Sequence, residues 1–533
     1  MTTAKPAASG AVEVLAGPAA LRVKPGLRWD DLIAQARRAA PEAFADSGCF
    51  LNLIGGSWGA PGNGKQMITP IDGSSIGKLP MIDLPTGLRA VRAAKQEAAP
   101  WARTDLAERA ARVRATLDEM RTHRDALAGL LMWEIGKPMA AARADVDRCI
   151  DGVAWYVEQA GAMAEGRRPL GLVSNIASWN YPLSVLMHAV LVQALVGNSV
   201  IAKSPTDGGG TALAVSMAIA RRHGLPVSFV SGSGGVLSEA LVRNENIDCL
   251  SFVGGRSTGR DVAAALVDVK KRYMLEMEGV NAYGVWEFSD WRLLADQLRR
   301  SYEYAKQRCT AYPRFVVQRS LFPAFLETYL SVVRSLRVGN PTLVASAADD
   351  PPPLDFGPLI NAKKVEELRS LWSEALGQGA VPIYQGELDP ASFLPHQDTS
   401  AYFAPCTLLN VPRSCRLYFS EPFGPLDSLV TVNTLEELVQ EMNVSNGCLV
   451  ATLATDDRAL AERIRPEVRS FKFGVNKLRS RGDREELFGG LGQSWKGCFV
   501  GGSLLVRALT CGEGDEELPG VFVDGTRLPQ GGV

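Results

Sequence analysis

Cys309, in the run Lys306-Gln307-Arg308-Cys309-Thr310-Ala311, is the candidate nucleophile of this sequence, and Glu276, in Leu275-Glu276-Met277-Glu278-Gly279, is the carboxylate that could serve it as a base. A thiolate attacks an electrophilic carbonyl carbon, and a carboxylate within reach takes up a proton or activates a water. Most single cysteines are inert apolar filling. The chemistry therefore depends on whether the intervening chain brings the two side chains together.

Bulk properties bound the kind of protein that could carry such a site. A chain of 533 residues exceeds what one hydrophobic core spans and predicts several domains or two large ones. With 57 basic and 58 acidic residues, a formal charge of −1 and 46% hydrophobic residues, it reads as an ordinary globular protein with no electrostatic basis for binding nucleic acid or an anionic membrane. The nine cysteines are odd in number and contain no Cys-x-x-Cys pair, which argues against a disulfide framework or zinc site and predicts a reducing, cytoplasmic setting. Only four histidines are present, His123, His188, His223 and His396, without paired spacing, so no metal is expected. Met1 to Val23 lacks the basic start and apolar run of a signal peptide. The most apolar long stretch, Leu183 to Ala202, is broken by Ser184, His188, Gln193 and Asn198 and reads as helix then strand, not as a membrane span.

The elements that must position the pair follow from periodicity. Residues 1 to 25 are rich in Ala, Gly and Pro and are expected to fray, and Trp29 to Ala45 has helical spacing. Apolar residues recurring at three and four predict amphipathic helices from Pro85 to Met120 and from Arg121 to Trp133. Short apolar strands at Leu170–Val173, Ser199–Ala202, Ser228–Val230, Cys249–Val253 and Tyr273–Leu275 then alternate with helices at Leu183–Leu195, Gly210–His223, Gly235–Arg243 and Ser257–Val267. That is the rhythm of a parallel α/β sheet, the usual frame for a nucleotide. A second series, helix Trp291–Gln307, strand Arg314–Gln318 and helix Leu321–Leu336, leaves Cys309 in a short connection.

Several turns between these elements could carry chemistry. Asn180, in Ile176-Ala177-Ser178-Trp179-Asn180-Tyr181-Pro182, follows a strand and could point an amide N–H into a cleft, although an ordinary turn asparagine is the commoner reading of one such residue. Lys203 ends a strand, where open parallel sheets bind ligands, although a lone lysine there is more often solvated. Gly232-Ser233-Gly234-Gly235 opens a helix after a strand and could face a phosphate, but Leu237 holds the place of the third glycine in Gly-x-Gly-x-x-Gly. Glu421-Pro422-Phe423-Gly424-Pro425 and Phe488-Gly489-Gly490 are rigid or close-approach turns that structure alone would explain.

Taken in order, Asn180, Lys203, Phe252-Val253-Gly254-Gly255, Glu276, Cys309, Glu421 to Pro425 and Phe488 to Gly490 resemble the motifs of the aldehyde dehydrogenase superfamily over roughly residues 50 to 505. The resemblance implies an α/β fold with a Rossmann-type cofactor domain (49–150 with 170–278), an α/β catalytic domain (279–494), a bridging segment (151–169 with 495–533) that pairs subunits into a homodimer or homotetramer, and an N-terminal extension (1–48). It implies that Cys309 attacks a small aldehyde, that Asn180 and the Cys309 N–H hold the oxyanion, and that hydride leaves for NAD or NADP. Glu276 would then activate water on the thioester. By the same resemblance Glu421 and Phe423 hold the nicotinamide end, Lys203 the adenosine ribose, and Gly234, Gly254 and Gly255 line the cofactor. Tyr181, Val185, His188, Arg308 and Thr310 would line the substrate pocket.

Departures from the family pattern carry further expectations. Thr206 stands where a ribose-gripping glutamate is common, which predicts that NADP is accepted. Glu278 and Lys306 replace glycines and are expected to pair with each other. Arg308, turned inward, would lower the Cys309 pKa, or it points to solvent. His188 hints at a polar or anionic substrate or is a satisfied core histidine. Two rival functions are a CoA-acylating enzyme, against which Glu276 counts, and a catalytically silent binding or assembly protein, suggested by Glu278, Lys306, Ser178 and Gly255.

Overall fold

The computed structural model describes residues 21–59, 64–267, 271–445, 447–482, 484–514 and 516–522. The expectations for the first 20 residues and for the end of the tail lie outside them. The helical region expected from Pro85 onward divides where new caps arise. Asp83 accepts from the Thr86 N–H and starts the helix Leu84–Ala102, and Asp105 accepts from the Glu108 N–H and starts Leu106–Thr122. Arg124–Ile135 ends at Gly136, whose φ of 73° suits a left-handed C-cap, and Met139–Met163 follows.

Two sheets carry the rest. A nine-stranded sheet has the order Gly520–Val521, Trp495–Cys498, Arg272–Met277, Cys249–Gly254, Leu172–Ala177, Ser199–Lys203, Val227–Val230, Asn52–Ile54 and Ser57–Gly59. Its five central strands are parallel, in register Ile176 to Lys203 and Phe252 to Leu275. The five runs predicted as strands are these five, because fully buried parallel strands read as short continuous apolar runs. A seven-stranded sheet has the order Val381–Gln385, Cys406–Leu409, Leu426–Val432, Arg314–Gln318, Ala282–Val285, Val450–Ala454 and Lys472–Val475, parallel except for the first pair. Arg168–Pro169 pairs with Thr510–Cys511, so the two parts of the expected bridging segment do meet. Within 495–533, however, Trp495–Cys498 and Gly520–Val521 extend the nine-stranded sheet by antiparallel pairing.

The helix expected over Trp291–Gln307 stops at Ser301. Tyr304, Ala305 and Lys306 then turn left-handed, with φ of 56°, 54° and 58°. Non-glycine residues resist this conformation by about 1–2 kcal/mol each, so something must hold them. Lys306 is the strongest tie: its ammonium lies 2.6 and 2.7 Å from the two oxygens of Asp427 and 3.0 Å from the Tyr312 carbonyl. Both charges are almost wholly buried, at 1% and 0% exposure. Tyr302 and Tyr329 also donate to Asp427, at 2.7 and 2.8 Å. The expected Glu278–Lys306 pair is therefore wrong, since the lysine is committed to a carboxylate on the strand Leu426–Val432.

Removing one partner from such a buried pair strands the other charge. Lys306→Met should lower unfolding free energy by about 3–5 kcal/mol, and Lys306→Met combined with Asp427→Asn should recover more than half of the loss. Urea unfolding followed by tryptophan fluorescence checks this, and equal losses in both variants would show that charge pairing is not the source.

Candidate active site

The parallel strands leave Leu172–Ala177 in opposite directions along the sheet, to Ser199–Lys203 on one side and Cys249–Gly254 on the other. Such a reversal opens a crevice beyond the carboxyl ends of the strands. Asn180 follows Leu172–Ala177, Gly254 and Gly255 end Cys249–Gly254, and Glu276 lies near the end of Arg272–Met277. The sheet therefore delivers four of the expected residues to one place.

The nucleophile arrives on a fastened loop that leads into Arg314–Gln318 of the seven-stranded sheet. Asn281 donates at 2.7 Å to both the Cys309 and Ala311 carbonyls, and its own oxygen accepts from the Val450 N–H at 3.1 Å. The Gln307 side chain accepts from the Ile360 N–H at 2.9 Å and donates to the Pro358 carbonyl at 3.3 Å. So held, the Cys309 thiol donates to Glu276 Oε1 at 2.9 Å. The second oxygen of Glu276 is paired with the guanidinium of Arg481. Burial pushes the Cys309 pKa well above its usual value, the Glu276 charge and hydrogen bond push it further, and Arg481 pulls back more weakly. The resting thiol is therefore protonated, with a carboxylate already in place to accept its proton.

Asn180 is buried beside this pair. Its amide nitrogen donates to the Gln307 carbonyl at 3.0 Å, and its oxygen accepts from the Ser178 hydroxyl at 2.5 Å. Ser178, a departure from the family pattern, thus fixes which way the amide points. One of the two amide hydrogens is left for another acceptor.

The expected cofactor residues show a fit to a dinucleotide in one decisive respect. Glu421 is 7% exposed, and among the described residues neither carboxylate oxygen has a partner at hydrogen-bond geometry, the Gly279 N–H being near enough only to oppose the rise in its pKa. Burial first, and then the charge of Glu278, raise its pKa well above the ordinary value. An orphaned buried acceptor of this kind suits the hydroxyl donors of a ribose. Phe423 adopts φ 50° and meets Trp179 edge to face at 6.0 Å. Lys203 is buried, donates to the Ser204 carbonyl at 2.9 Å, and has its pKa lowered to about 8 by burial. Thr206 accepts at its carbonyl from Lys65 at 3.4 Å, and both border a cavity of about 190 Å³. Gly234 begins a short helix with open space where a side chain would start, and a side chain at Gly254 would strike the Phe252 ring.

The remaining expected residues fall as follows around this centre. Glu278, free of Lys306, lies beside Gly255, whose side-chain position would be 3.9 Å from the Glu278 carboxylate. Arg308 faces away from the thiol because Glu303 and the carbonyls of Arg300 and Ser301 hold its guanidinium at 3.2, 2.8 and 3.3 Å. His188 packs edge to face on Tyr156 at 5.7 Å, and its pKa falls to about 3 through burial, with Arg481 and Arg484 adding to the shift. It is neutral and offers an anion no charge. Tyr181 lies under the Lys137 ammonium at 3.9 Å, Val185 sits on the wide turn Pro182–Met187, and Thr310 is buried next to the nucleophile. Arg481, Asn281 and Asp427 were missed. Asp427, two residues past Pro425, was within reach of the motif reading, whereas Arg481 sits in a run of arginines that looks solvated.

The chain is similar to a non-phosphorylating aspartate-semialdehyde dehydrogenase of Halomonas elongata, 27% identical over 467 residues that cover 83% of this chain and 91% of the relative. It is 26% identical to an NADP(+)-dependent D-glyceraldehyde dehydrogenase of Thermoplasma acidophilum, covering 77% and 86% of the two chains. Among solved structures, NADP-dependent glyceraldehyde-3-phosphate dehydrogenase from Bacillus halodurans C-125, complexed with NADP, matches with a TM-score of 0.77 at 25% identity, covering 86% of this chain and 97% of that one. The sequence model of the aldehyde dehydrogenase family matches residues 59–510, and with that the chain belongs to the aldehyde dehydrogenase family.

Proposed function

We propose that Cys309, Glu276 and Asn180 carry the reaction of an NAD(P)-dependent aldehyde dehydrogenase that converts an aldehyde to its carboxylic acid. The observation that carries this assignment is the 2.9 Å contact between the Cys309 thiol and Glu276. As sulfur bonds to the aldehyde carbon, the thiol proton passes to Glu276 and the carbonyl oxygen becomes an oxyanion. The free Asn180 amide hydrogen and the Cys309 N–H are the donors for that charge. Bound NAD or NADP supplies the acceptor for hydride, and Glu421, Phe423 and Lys203 would hold it. Once Glu276 has shed its proton, it takes one from the water that attacks the thioester, releasing acid and restoring the thiol.

Thr206 in place of a carboxylate, with Lys203 and Lys65 nearby, favours acceptance of the 2′-phosphate of NADP. A homodimer or homotetramer is proposed through the segment around Arg168–Pro169, and the cytoplasm as the site of action. Among the described residues no helix is long and apolar enough to cross a membrane.

Glu276→Gln should cut acid formation by about 10²–10⁴-fold, the usual contribution of a general base. In a kcat/KM comparison NADP should match or exceed NAD, and acid should form without CoA. Because Lys203 loses its proton as pH rises through about 8, KM for NADP should climb above that pH while KM for NAD changes less.

A further inference from the structure

We propose that Arg481 is the anchor for a second, anionic group on the substrate, which makes the preferred aldehydes short semialdehydes that end in a carboxylate. The inference rests on the reading that Cys309 and Glu276 oxidise an aldehyde. In the free enzyme Glu276 occupies Arg481 in place of that carboxylate.

Four observations lead there. Arg481 reaches the reaction centre directly, since it pairs with the oxygen of Glu276 that the thiol does not use. Its side chain is 31% exposed, so a ligand can meet it, and it lies over the Phe488 ring at 5.4 Å, which steadies the guanidinium plane. Among the described residues Glu276 is its only hydrogen-bond acceptor. A guanidinium has five N–H donors, so most of its capacity is unspent. Its charge also bears on Tyr156 and His188, which places it where the helix Met139–Met163, the turn before His188 and the nucleophile loop converge. Arg484 adds a second positive charge near His188, and among the described residues its ion pair is with Asp151 at 4.0 Å, an exposed pair of little strength.

Spacing sets the length of the ligand. The thiol and the guanidinium grip opposite oxygens of one carboxyl group, so they stand about one carboxyl group and two hydrogen bonds apart, roughly 7 Å. With a C–S bond and one hydrogen bond taken from that span, only a short chain of about two methylene groups or fewer fits between aldehyde and carboxylate. Charge balance sets its sign. Glu276 cannot remain on Arg481 and also swing to a water at the acyl carbon, and a substrate carboxylate that takes Arg481 releases it with the local charge conserved. A neutral aldehyde makes no contact with the guanidinium, so an anionic one gains chiefly in KM.

Succinic semialdehyde and butanal, which differ in the terminal carboxylate, test this on the full-length enzyme. The wild type should prefer the semialdehyde by about 30-fold in kcat/KM, as expected for a charged bidentate contact. Arg481→Met should collapse the ratio to within about 3-fold, chiefly through KM for the semialdehyde, and Arg481→Lys, which keeps the charge, should hold an intermediate ratio. An unchanged ratio in Arg481→Met, or no preference in the wild type, overturns the anchor and leaves the oxidation reading standing. Cofactor reduction with neither aldehyde, at a Cys309 that iodoacetamide still labels, overturns both.

Discussion

Glu276 is a carboxylate with 2% exposure, held between a thiol and a guanidinium. Taking such a charge out of water costs several kcal/mol unless partners replace the lost solvation. Arg481 supplies the opposite charge, and the Cys309 S–H supplies a donor. The thiol cannot ionise on its own in this arrangement, because a thiolate would stand 2.9 Å from a carboxylate in a dry site. Its proton has one nearby destination. Thiol activation is thereby tied to Glu276, and Glu276 is tied to whatever occupies Arg481.

That contact tolerates little movement, which accounts for the fastening of the loop behind it. Three consecutive left-handed residues cost about 1–2 kcal/mol each. Against them stand charge-assisted hydrogen bonds from Lys306 to Asp427, worth about 1.5–3 kcal/mol each, and the carbonyl ties made by Asn281. A glycine at 306 would adopt the same turn without strain but would leave the loop unanchored. Lysine accepts the strain and gains a fixed point on Leu426–Val432. That strand follows directly from the turn that holds Glu421 and Phe423, so the nucleophile and the cofactor residues share one support.

The central strands were legible in the sequence because buried parallel strands are continuous apolar runs, and Arg314–Gln318 was placed to the residue. The helix beginning at Trp291 overran because its periodicity continues through Tyr302 and Tyr304, and positive φ leaves no mark in a side-chain pattern. The charge partners were the least legible part of the site. Glu278 and Lys306 were matched as two departures near one motif, whereas Asp427, 121 residues beyond Lys306, is the true partner through a strand pairing that only the fold supplies. Arg481 was hidden by its neighbours, since Arg479 and Arg484 make the segment resemble a solvated charged loop. The order of short motifs, by contrast, was enough to bring Asn180, Glu276 and Cys309 to one crevice.

Glu278 and Gly255 deserve to be considered as one change. A side chain is present at 278 and absent at 255, and the two positions are neighbours, 3.9 Å apart from carboxylate to would-be side chain. The new charge bears on Glu421, already buried, and raises its pKa further. Burial, with the Glu278 charge adding to it, pushes Glu421 toward its protonated form. A protonated carboxyl donates as well as accepts, which alters how the same residue meets a ribose hydroxyl. The carboxylate at 278 therefore acts on Glu421 in addition to burial, while the Cys309–Glu276 contact at the reacting end is kept.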